Sequence, residues 1–420
     1  KSGMDVIVTD HHSIPKKLPE SALALLHPFL PGDNYPFREL SGSAVAYKFA
    51  VALMHEIRGE EEALVWRKKL ADLASLGTVA DCMQLTGENR WIVKNGIDQM
   101  RETSWGGLKK LMKSAGIDEI QGYDSDVIGF CLGPRINAAG RLETPYYALQ
   151  LLLDENGSAT SLAEKLEELN KERRAMVECA MEQAEERLQA ENQLNRKIII
   201  TWDKDWPAGI IGLIAARLNE KYNRPTIVLE DRGGELVASC RSPHYFNVAE
   251  ALREVGHHLK SHGGHAAAAG FTIDYINLEA FIEEIQAHAD ETIEMDLLIP
   301  TLAIDYKIEL EEITFDLVSA LNQKAPFGTG NVKPRFLISG VEPRDLQTVG
   351  REHGHVKFYL QSEKNRLSAI AFRFGQHFST LQNAIHTEKK LLDVVFELDK
   401  SVWNGRERLE LKVVDLRFSD

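Results

Sequence analysis

The chain has 420 residues, and its 63 acidic and 49 basic side chains give a formal net charge of -14. Hydrophobic residues make up 44% of it and charged residues 27%, which excludes a disordered chain and allows two or three domains with their own cores. No stretch is apolar enough for a membrane span or a secretory signal. The four cysteines are scattered without a C-x-x-C pair, which excludes a zinc ribbon and suits a reducing compartment. We therefore expect a cytoplasmic protein.

The first part of the chain predicts an α/β domain. An apolar strand at residues 6–9 is followed by amphipathic helices at 43–57 and 61–76, and Gly77 reads as a helix break. Further helical stretches lie between residues 91 and 115. Short strands followed by helices favour a parallel sheet covered by helices.

The middle of the chain predicts one long helix and a second α/β unit. Residues 159–192 contain no Gly or Pro and repeat apolar side chains at helical spacing, so we expect a connecting helix whose charged run is a solvated face. In the second unit we expect strands at 197–201, 224–230 and 235–240. Helices are expected at 208–222, at 247–259 with Asn247 as cap, and at 278–295.

The region after Pro300 changes to β character. Five short segments with partial apolar alternation are separated by turn-rich connections, which predicts a small five-stranded barrel of the OB type. An OB barrel binds flexible single strands by stacking bases on aromatic rings. The candidates for such stacking are Phe336, Phe358, Tyr359, Phe372 and Phe374. Strand alternation places several of them in the barrel core, and for any one of them the core is the better prediction.

The opening stretch "VIVTDHHS" carries the first candidate site. Asp10, His11 and His12 end an apolar strand, and the carboxyl end of a strand in an open parallel sheet faces the crevice where ligands bind. A neutral imidazole is a good metal ligand, and a neighbouring carboxylate can orient it. This stretch therefore predicts a metal or phosphate site. Asp81 lies in a matching context, although an isolated Asp there would be an ordinary turn or capping residue.

Arginine and glycine motifs predict anion binding in two further segments. Residues 130–145 hold Arg135, Asn137 and Arg141 among Gly and Pro, a set that can form a charge-assisted anion clamp. In the second α/β unit a strand ends in donors, and the turn at 261–272 can bring backbone N–H groups close to a ligand. The residues of that second phosphate-binding surface are Arg241, Ser242, Gly263, Gly264 and His265.

Taken in order, "VIVTDHHS", "LASLGTVAD", "GENR", "GPRINAAGRL" and "SHGGHAAAAG" closely resemble the DHH phosphoesterase superfamily. Within it they resemble the bacterial RecJ single-strand-specific exonucleases, and the late "APFGTGNVKPRF" is similar to the entrance of their OB domain. The resemblance covers essentially the whole chain. It implies the C-terminal part of a parallel-sheet DHH domain at 1–155, a connecting helix at 156–195, a DHH-associated α/β substrate-binding domain at 196–298 and an OB domain at 299–420.

The resemblance also implies an activity, which is metal-dependent 5'-to-3' hydrolysis of single-stranded DNA in recombination and repair. His11 and Asp81 would be ligands in a two-metal site for Mn²⁺ or Mg²⁺, Asp10 an orienting acid, and His12 would face the scissile phosphate. The substrate side would comprise Asn89, Arg90, Arg135, Asn137 and Arg141, with Arg241, Ser242, Gly263, Gly264 and His265 on the terminal phosphate and nucleotide.

The resemblance implies single-stranded DNA as substrate, with a single-strand-binding protein and a helicase as partners, no membrane, and a monomer. The family's remaining metal ligands, an Asp-x-Asp stretch and a further Asp, are expected before Lys1. We therefore expect this chain alone to be weakly active or inactive. Two alternatives stay open. One is a nanoRNA or cyclic-dinucleotide phosphodiesterase of the same superfamily, and the other is a non-catalytic DHH-like scaffold that binds DNA.

Overall fold

The computed structural model describes residues 3–12, 14, 17–117, 123–154, 157–362, 365–403 and 406–419. Its contacts divide the chain into two compact units. The first unit comprises Lys1–Ser104, Ile117–Gly133 and Leu302–Asp420, and the second comprises Trp105–Gly116 and Pro134–Thr301. This division groups the chain differently from the four predicted segments, whose boundaries stay a prediction. Among the described residues, no helix combines the length and apolarity that a membrane crossing requires.

The N-terminal part of the first unit is a pair of parallel strands beside a helical layer, as predicted. Ser41 caps the first long helix by accepting a hydrogen bond from the Ala44 N–H at 3.0 Å. A small apolar cluster with Ala44, Val45 and Ile92 joins three helices. The elements are β1 (Ile7–Thr9), β2 (Ala24–Leu26), α1 (Gly42–Arg58), α2 (Glu60–Ala80), α3 (Gly87–Met100) and a π-helix (Val127–Leu132).

The predicted helix break at Gly77 is wrong, because α2 continues through it to Ala80. A Cβ at Gly77 would lie 2.2 Å from the Ser43 Oγ of α1, and one at Gly96 would lie 2.3 Å from the Ala71 carbonyl oxygen. These glycines therefore let the three helices approach each other closely. The missing side chain of Gly77 allows α1 and α2 to pack closely, and it does not end the helix.

The second unit is an α/β domain around a five-stranded sheet of order β3-β4-β5-β7-β6. Only β3 and β4 pair in parallel; the other pairs are antiparallel. The helices are α4 (Gly106–Ser114), α5 (Gly133–Leu142), α6 (Tyr146–Leu153), α7 (Ala159–Ala190), α8 (Ala208–Tyr222), α9 (Val248–Glu254) and α10 (Leu278–Thr292). The strands are β3 (Ile199–Asp203), β4 (Thr226–Asp231), β5 (Glu235–Arg241), β6 (Leu259–His265) and β7 (Ala268–Asp274).

Both faces of this sheet are buried. Ile198 and Ile200 pack in a core with α9 and α10, whereas Ile199 packs in another core with α7 and α8. Alternate side chains of a strand point to opposite faces, so a run of three isoleucines serves both cores. The predicted long helix is confirmed as α7, and one of its faces is buried against α8 and β3.

The segment that holds Arg135 and Arg141 is helical up to Leu142, and α5 continues directly from the π-helix Val127–Leu132. Two local predictions in the second unit are corrected. Gly263, Gly264 and His265 lie on β6 and pair with β7, so they form one side of a hairpin. The helix predicted to run to residue 259 ends at Glu254, and Gly256–His258 is a 3-10 turn.

The C-terminal part of the first unit is a β domain with a seven-stranded sheet of order β10-β11-β12-β14-β13-β9-β8. All five predicted strands are present, and the two that sequence analysis missed, β8 and β10, form the ends of the sheet order. The strands are β8 (Tyr306–Lys307), β9 (Arg335–Val341), β10 (Arg344–Val349), β11 (His355–Gln361), β12 (Arg366–Ala371), β13 (Leu392–Trp403) and β14 (Arg406–Phe418); the helices are α11 (Phe315–Asn322) and α12 (Phe378–His386).

Candidate active site

The Asp10-His11-His12 stretch lies at the carboxyl end of β1, where the parallel pairing predicts a ligand site. The Asp10 N–H still donates to the Leu26 carbonyl at 3.1 Å, so the pairing with β2 extends to this residue. His27, which directly follows β2, is buried and donates from Nε2 to the His12 carbonyl at 2.8 Å. Sequence analysis did not select His27, although it too follows a strand. It holds the His12 backbone in place.

Asp10 organises this turn as a carboxylate. One oxygen, Oδ1, accepts from the His11 N–H at 2.7 Å, from the His12 N–H at 3.2 Å and from His12 Nδ1 at 2.7 Å. The hydrogen bond from the His12 side chain is the largest cause that lowers the pKa of Asp10 to about 2. Asp10 is therefore ionised at neutral pH. It orients His12, and Nε2 is the other ring nitrogen that His12 can offer to a ligand.

His11 meets the second predicted ligand. Its Nε2 lies 3.3 Å from Oδ2 of Asp81, the residue that follows the last turn of α2. The His11 side chain is 14% exposed and the Asp81 side chain 48% exposed, so the pair is anchored on one side and open on the other. A Cβ at Gly42 would lie 3.2 Å from Cδ2 of His11. The first residue of α1 is thus kept small beside this imidazole, a positioning residue that sequence analysis missed.

The His11 and Asp81 pair fits a divalent cation. Two adjacent ligands at about 2.0–2.2 Å from an ion lie roughly 3 Å apart, which matches their separation of 3.3 Å. The carboxylate suits both Mn²⁺ and Mg²⁺, and the imidazole adds one nitrogen ligand. In the described ranges, no third His, Cys, Asp or Glu forms a three-ligand cluster with them. The pair would therefore supply two ligands to such an ion.

In the second unit, Arg141 and Arg241 lie beside the start of α8. Arg141 donates to the Gly209 carbonyl at 3.1 Å, and Arg241 donates to the Cys240 carbonyl at 2.8 Å and to Ser239 Oγ at 3.1 Å. A Cβ at Gly212 would lie 3.2 Å from the Arg241 guanidinium. Small residues at the start of α8 therefore leave room for both cations beside a helix N-terminus.

This arrangement concentrates positive charge. Burial lowers the pKa of both Arg141 and Arg241, and the Arg241 charge lowers that of Arg141 further. Arg173 of α7 lies in the same cluster of positive charge. Burial lowers its pKa, and the charges of Arg174, Arg141 and Arg217 lower it further. Its Nε is buried without a hydrogen-bond partner. Guanidinium groups that repel one another at a helix N-terminus favour an anion between them.

Arg173 is an exception to the prediction that the charged run of the long helix is a solvated face, which its neighbours Glu172 and Arg174 follow. Its side chain is only partly exposed, and it donates to Asn170 Oδ1 at 3.0 Å on the same helix. The signal available in the sequence was the "KERRAM" run, in which an apolar position follows two arginines. A one-dimensional pattern does not separate an arginine at the border of a buried stripe from one that is fully solvated.

The predicted clamp of Arg135, Asn137 and Arg141 is not formed as a unit. All three lie on α5, where residues turn by about 100° each, so positions two and six apart face different directions. Arg135 is buried and pairs with Glu167 at 2.6 Å, whereas Asn137 is exposed. Only Arg141 joins the arginines beside α8.

Other residues that were predicted to bind substrate make hydrogen bonds within the protein. Asn89 is fully buried and donates to the Gln84 carbonyl at 3.1 Å, and Arg90 donates to the Lys324 carbonyl at 2.7 Å. Ser242 is buried and donates to the Phe246 carbonyl at 2.7 Å. Their contact with a substrate stays a prediction, because in this structure these side chains donate to main-chain carbonyls. The segment with Gly263, Gly264 and His265 is exposed on β6.

The C-terminal sheet carries a groove of about 1240 Å³. Its lining includes Lys357 and Tyr359 of β11, and the Arg366 guanidinium lies 4.2 Å from the centre of the Tyr359 ring. Phe315, which is 44% exposed, lines another part. Of the five aromatic candidates, Phe336 and Phe358 are buried in the core, Phe374 packs against it, Tyr359 lines the groove and Phe372 is exposed.

Comparison with known proteins identifies the domains of this chain. Three family models match: the DHH family N-terminal domain at residues 1–78, the DHHA1 domain at 195–291 and the RecJ OB domain at 304–415. The single-stranded-DNA-specific exonuclease RecJ of Bacillus subtilis is 35% identical over 100% of this chain and 51% of its own length. The protein of that name from Salmonella typhimurium is 31% identical over 99% of this chain and 73% of its own.

A solved structure has a similar fold. The RecJ of Thermus thermophilus in complex with Mn²⁺ superposes with a TM-score of 0.81 at 29% identity, covering 99% of this chain and 58% of that one; a complex with Mg²⁺ gives 0.78. The chain thus spans about half the length of several relatives that it matches. The α/β fold with a C-terminal OB-type domain is confirmed. The identity over nearly three quarters of the Salmonella protein shows that the chain belongs to the RecJ family.

Proposed function

We propose that this chain is part of a metal-dependent exonuclease that hydrolyses phosphodiester bonds of single-stranded DNA from the 5' end, in recombination and repair. The observation that carries the proposal is the approach of His11 Nε2 to Asp81 Oδ2 at 3.3 Å, at the carboxyl end of a parallel strand. Two ligands open on one side are suited to an ion that must also bind substrate. The relatives with this chain's domains are named as exonucleases of that specificity.

His11 and Asp81 would hold a Mn²⁺ or Mg²⁺ ion, and a bound ion of this kind activates water and stabilises charge on the phosphoryl oxygens. The remaining ligands of a two-metal site stay a prediction from the family resemblance. Asp10 keeps the Nδ1 of His12 protonated, because it accepts that proton at 2.7 Å. His12 can therefore offer Nε2 to the scissile phosphate.

Arg141 and Arg241 would bind the terminal phosphate. Each is fixed by a main-chain carbonyl, at 3.1 and 2.8 Å respectively, so little side-chain freedom remains to be lost on binding. Their partial burial raises the strength of a charge-assisted contact to phosphate oxygens. This arrangement favours a substrate with a terminal phosphate over one in the middle of a strand.

The groove on the C-terminal sheet would bind the strand beyond the site. Lys357 and Arg366 can neutralise phosphates, while Tyr359 and Phe315 present rings on which bases stack. The RecJ OB domain match at residues 304–415 favours this long substrate over a dinucleotide, which has little need of such a domain. The overall negative charge of -14 requires the basic residues to be concentrated at these sites.

We further propose single-strand-binding protein and a helicase as partners, a monomeric state and a cytoplasmic location. A helicase and a single-strand-binding protein would supply and present the single strand that the enzyme needs. The four cysteines are free, which suits a reducing compartment.

The test measures mononucleotide release from 5'-phosphorylated single-stranded DNA, with and without Mn²⁺, by the full-length polypeptide that contains this sequence. Duplex DNA and a cyclic dinucleotide serve as comparison substrates. Metal-dependent release from the single strand alone is expected. Cleavage of the cyclic dinucleotide with the long strand left intact would replace the proposal with the small-substrate alternative. Tight binding of DNA without any release would favour the non-catalytic scaffold.

A further inference from the structure

The second unit contains a histidine cluster that the proposed nuclease site does not use. His257 and His258 lie on the 3-10 turn Gly256–His258, between α9 and β6, and Glu284 faces them from α10. His257 Nε2 lies 3.2 Å from Glu284 Oε2, and His258 Nε2 lies 2.7 Å from the same oxygen. The two rings are tilted by 40° with their centres 4.1 Å apart. Both imidazoles therefore converge on one carboxylate.

The three donor atoms have the spacing of a metal site. They all lie within 4.8 Å of one another. In the part of the chain that the structure describes, this is the group that brings together at least three ligand atoms of His, Cys, Asp or Glu. Ligands at about 2.0–2.2 Å from a tetrahedral ion lie roughly 3.3 Å apart. The His257 to Glu284 distance already matches, and the His258 to Glu284 distance would open by a few tenths of an ångström.

The surroundings hold the donors in place. His258 has a side chain only 17% exposed, and its carbonyl accepts a hydrogen bond from Asn277 Nδ2 at 3.5 Å. Lys260, two residues later on β6, is bound by Glu235 and Asp274 at 2.8 Å each. The backbone at His258 and the strand directly after the cluster are thus held in place. His257 and Glu284, 62% and 44% exposed, keep the site open to an ion from solvent.

The donor set selects the kind of ion. Two imidazole nitrogens and one carboxylate oxygen suit Zn²⁺ and its nitrogen-preferring neighbours, whereas Mg²⁺ and Mn²⁺ favour sites made of oxygen ligands. We propose that His257, His258 and Glu284 bind a Zn²⁺-type cation as a metal site separate from the one proposed at His11 and Asp81. The bound ion links the 3-10 turn to α10. It thereby fixes the start of β6, the strand that ends in Gly263, Gly264 and His265.

The experiment isolates this site by working in the Asp81→Asn background, so that Zn²⁺ at the other proposed site does not contribute. Calorimetric titration of the full chain with Zn²⁺ should show a binding event that weakens at least tenfold in Glu284→Gln and in the double variant His257→Ala/His258→Ala. Titration with Mn²⁺ should be weaker at the same site. Co²⁺ should give the visible absorption bands of a low-coordinate site, and these should be lost in both variants.

A matched control is His55→Ala, because His55 Nδ1 lies 3.5 Å from Glu56 Oε1 and forms a histidine–glutamate pair without a second imidazole. This variant should keep the Zn²⁺ binding event unchanged. Glu284→Gln retains an oxygen acceptor for both imidazoles, so it separates loss of metal binding from loss of folding, which circular dichroism checks. Equal Zn²⁺ affinity in the parent and in Glu284→Gln would overturn the proposal. Nuclease activity does not enter this test, so its outcome is independent of the proposed function.

Discussion

The chain contains two pairs of adjacent histidines, and they use carboxylates in opposite ways. In the first unit each imidazole has its own acid, with His12 on Asp10 at 2.7 Å and His11 near Asp81 at 3.3 Å. In the second unit both imidazoles share Glu284. The first arrangement offers separate oxygen and nitrogen ligands around an open space, and the second gathers two nitrogens on one oxygen. The two His-His pairs thus favour different ions, because the tertiary structure decides how many carboxylates contact each pair.

Asp81→Asn gives the largest expected effect and tests the first half of this comparison. An amide oxygen binds a divalent cation less well than a carboxylate, so we expect nuclease activity of the full-length polypeptide to fall by about 10²–10³-fold, equivalent to roughly 3–4 kcal/mol. The measurement is the rate of mononucleotide release with Mn²⁺.

The control is Asp98→Asn, an exposed acid on α3 in the same unit, which should leave the rate within twofold. Glu284→Gln should have a much smaller effect than Asp81→Asn. If both substitutions reduce the rate equally, the two histidine pairs do not have separate functions and the comparison fails.

The arginines beside α8 test whether the second unit binds DNA through guanidinium groups. Arg141→Met and Arg241→Met keep most of the stem but remove the charge, and together they should weaken binding of 5'-phosphorylated single strands by about 10–100-fold. The salt dependence of the affinity should also become shallower, by about 0.7 in log-log slope for each lost phosphate contact.

Binding is measured by fluorescence anisotropy at several salt concentrations. Arg253→Met, at an exposed arginine of α9 in the same unit, is the matched control and should change neither quantity. Affinity that does not depend on salt in the parent chain would contradict the idea that concentrated basic residues bind the DNA.

Asp393 supplies a reference carboxylate whose partners are an arginine, a serine and a main-chain N–H. It accepts from Arg417 at 3.0 Å, from Ser419 at 2.8 Å and from the Gly340 N–H at 3.1 Å. Burial alone would raise its pKa, but these hydrogen bonds bring the net pKa below the ordinary value of 3.8. A lowered pKa in the folded state means that the carboxylate stabilises the fold above about pH 4 and loses this contribution as the pH falls further.

Asp393→Asn should therefore reduce the free energy of unfolding at pH 7 by about 1–3 kcal/mol, and the difference should shrink below pH 4. Urea denaturation at several pH values measures it. Asp415→Asn, an exposed acid of β14 in the same sheet, should change stability by less than about 0.5 kcal/mol. A difference that stays constant down to pH 2 would show that the charge of Asp393 contributes nothing.

Gly42→Ala gives the smallest expected effect. The added methyl would press on Cδ2 of His11, so we expect a three- to tenfold slower nuclease rate without loss of thermal stability, since Ala favours a helix over Gly by about 1 kcal/mol. Gly256→Ala is the counterpart, because its Cβ would lie 3.2 Å from His262 Nε2 in the second unit. It should leave the rate unchanged. An unchanged rate in Gly42→Ala would mean that the position of His11 tolerates displacement.

Short-range patterns in the sequence were sufficient for much of this description. The helix at 208–222, the capping role of Asn247 and the five main strands of the C-terminal domain follow from apolar periodicity and local hydrogen bonding, and the structure confirms them. The approach of His11 and Asp81 was expected from the family resemblance alone, since Asp81 follows the helix α2 and not a strand. The features that follow from local patterns depend on neighbours in sequence.

What the sequence by itself determined is therefore most of the helices and strands, the family and the residue types of the DHH motif. Tertiary structure alone decided why Gly77 lies within a helix, why Arg173 joins Arg141, and which acid meets His257 and His258. Each of these depends on the distance between segments far apart in the chain. Periodicity records whether a position is apolar, but it carries no information on which side chain faces it from another element, and that contact sets the charge and the ligands of a site.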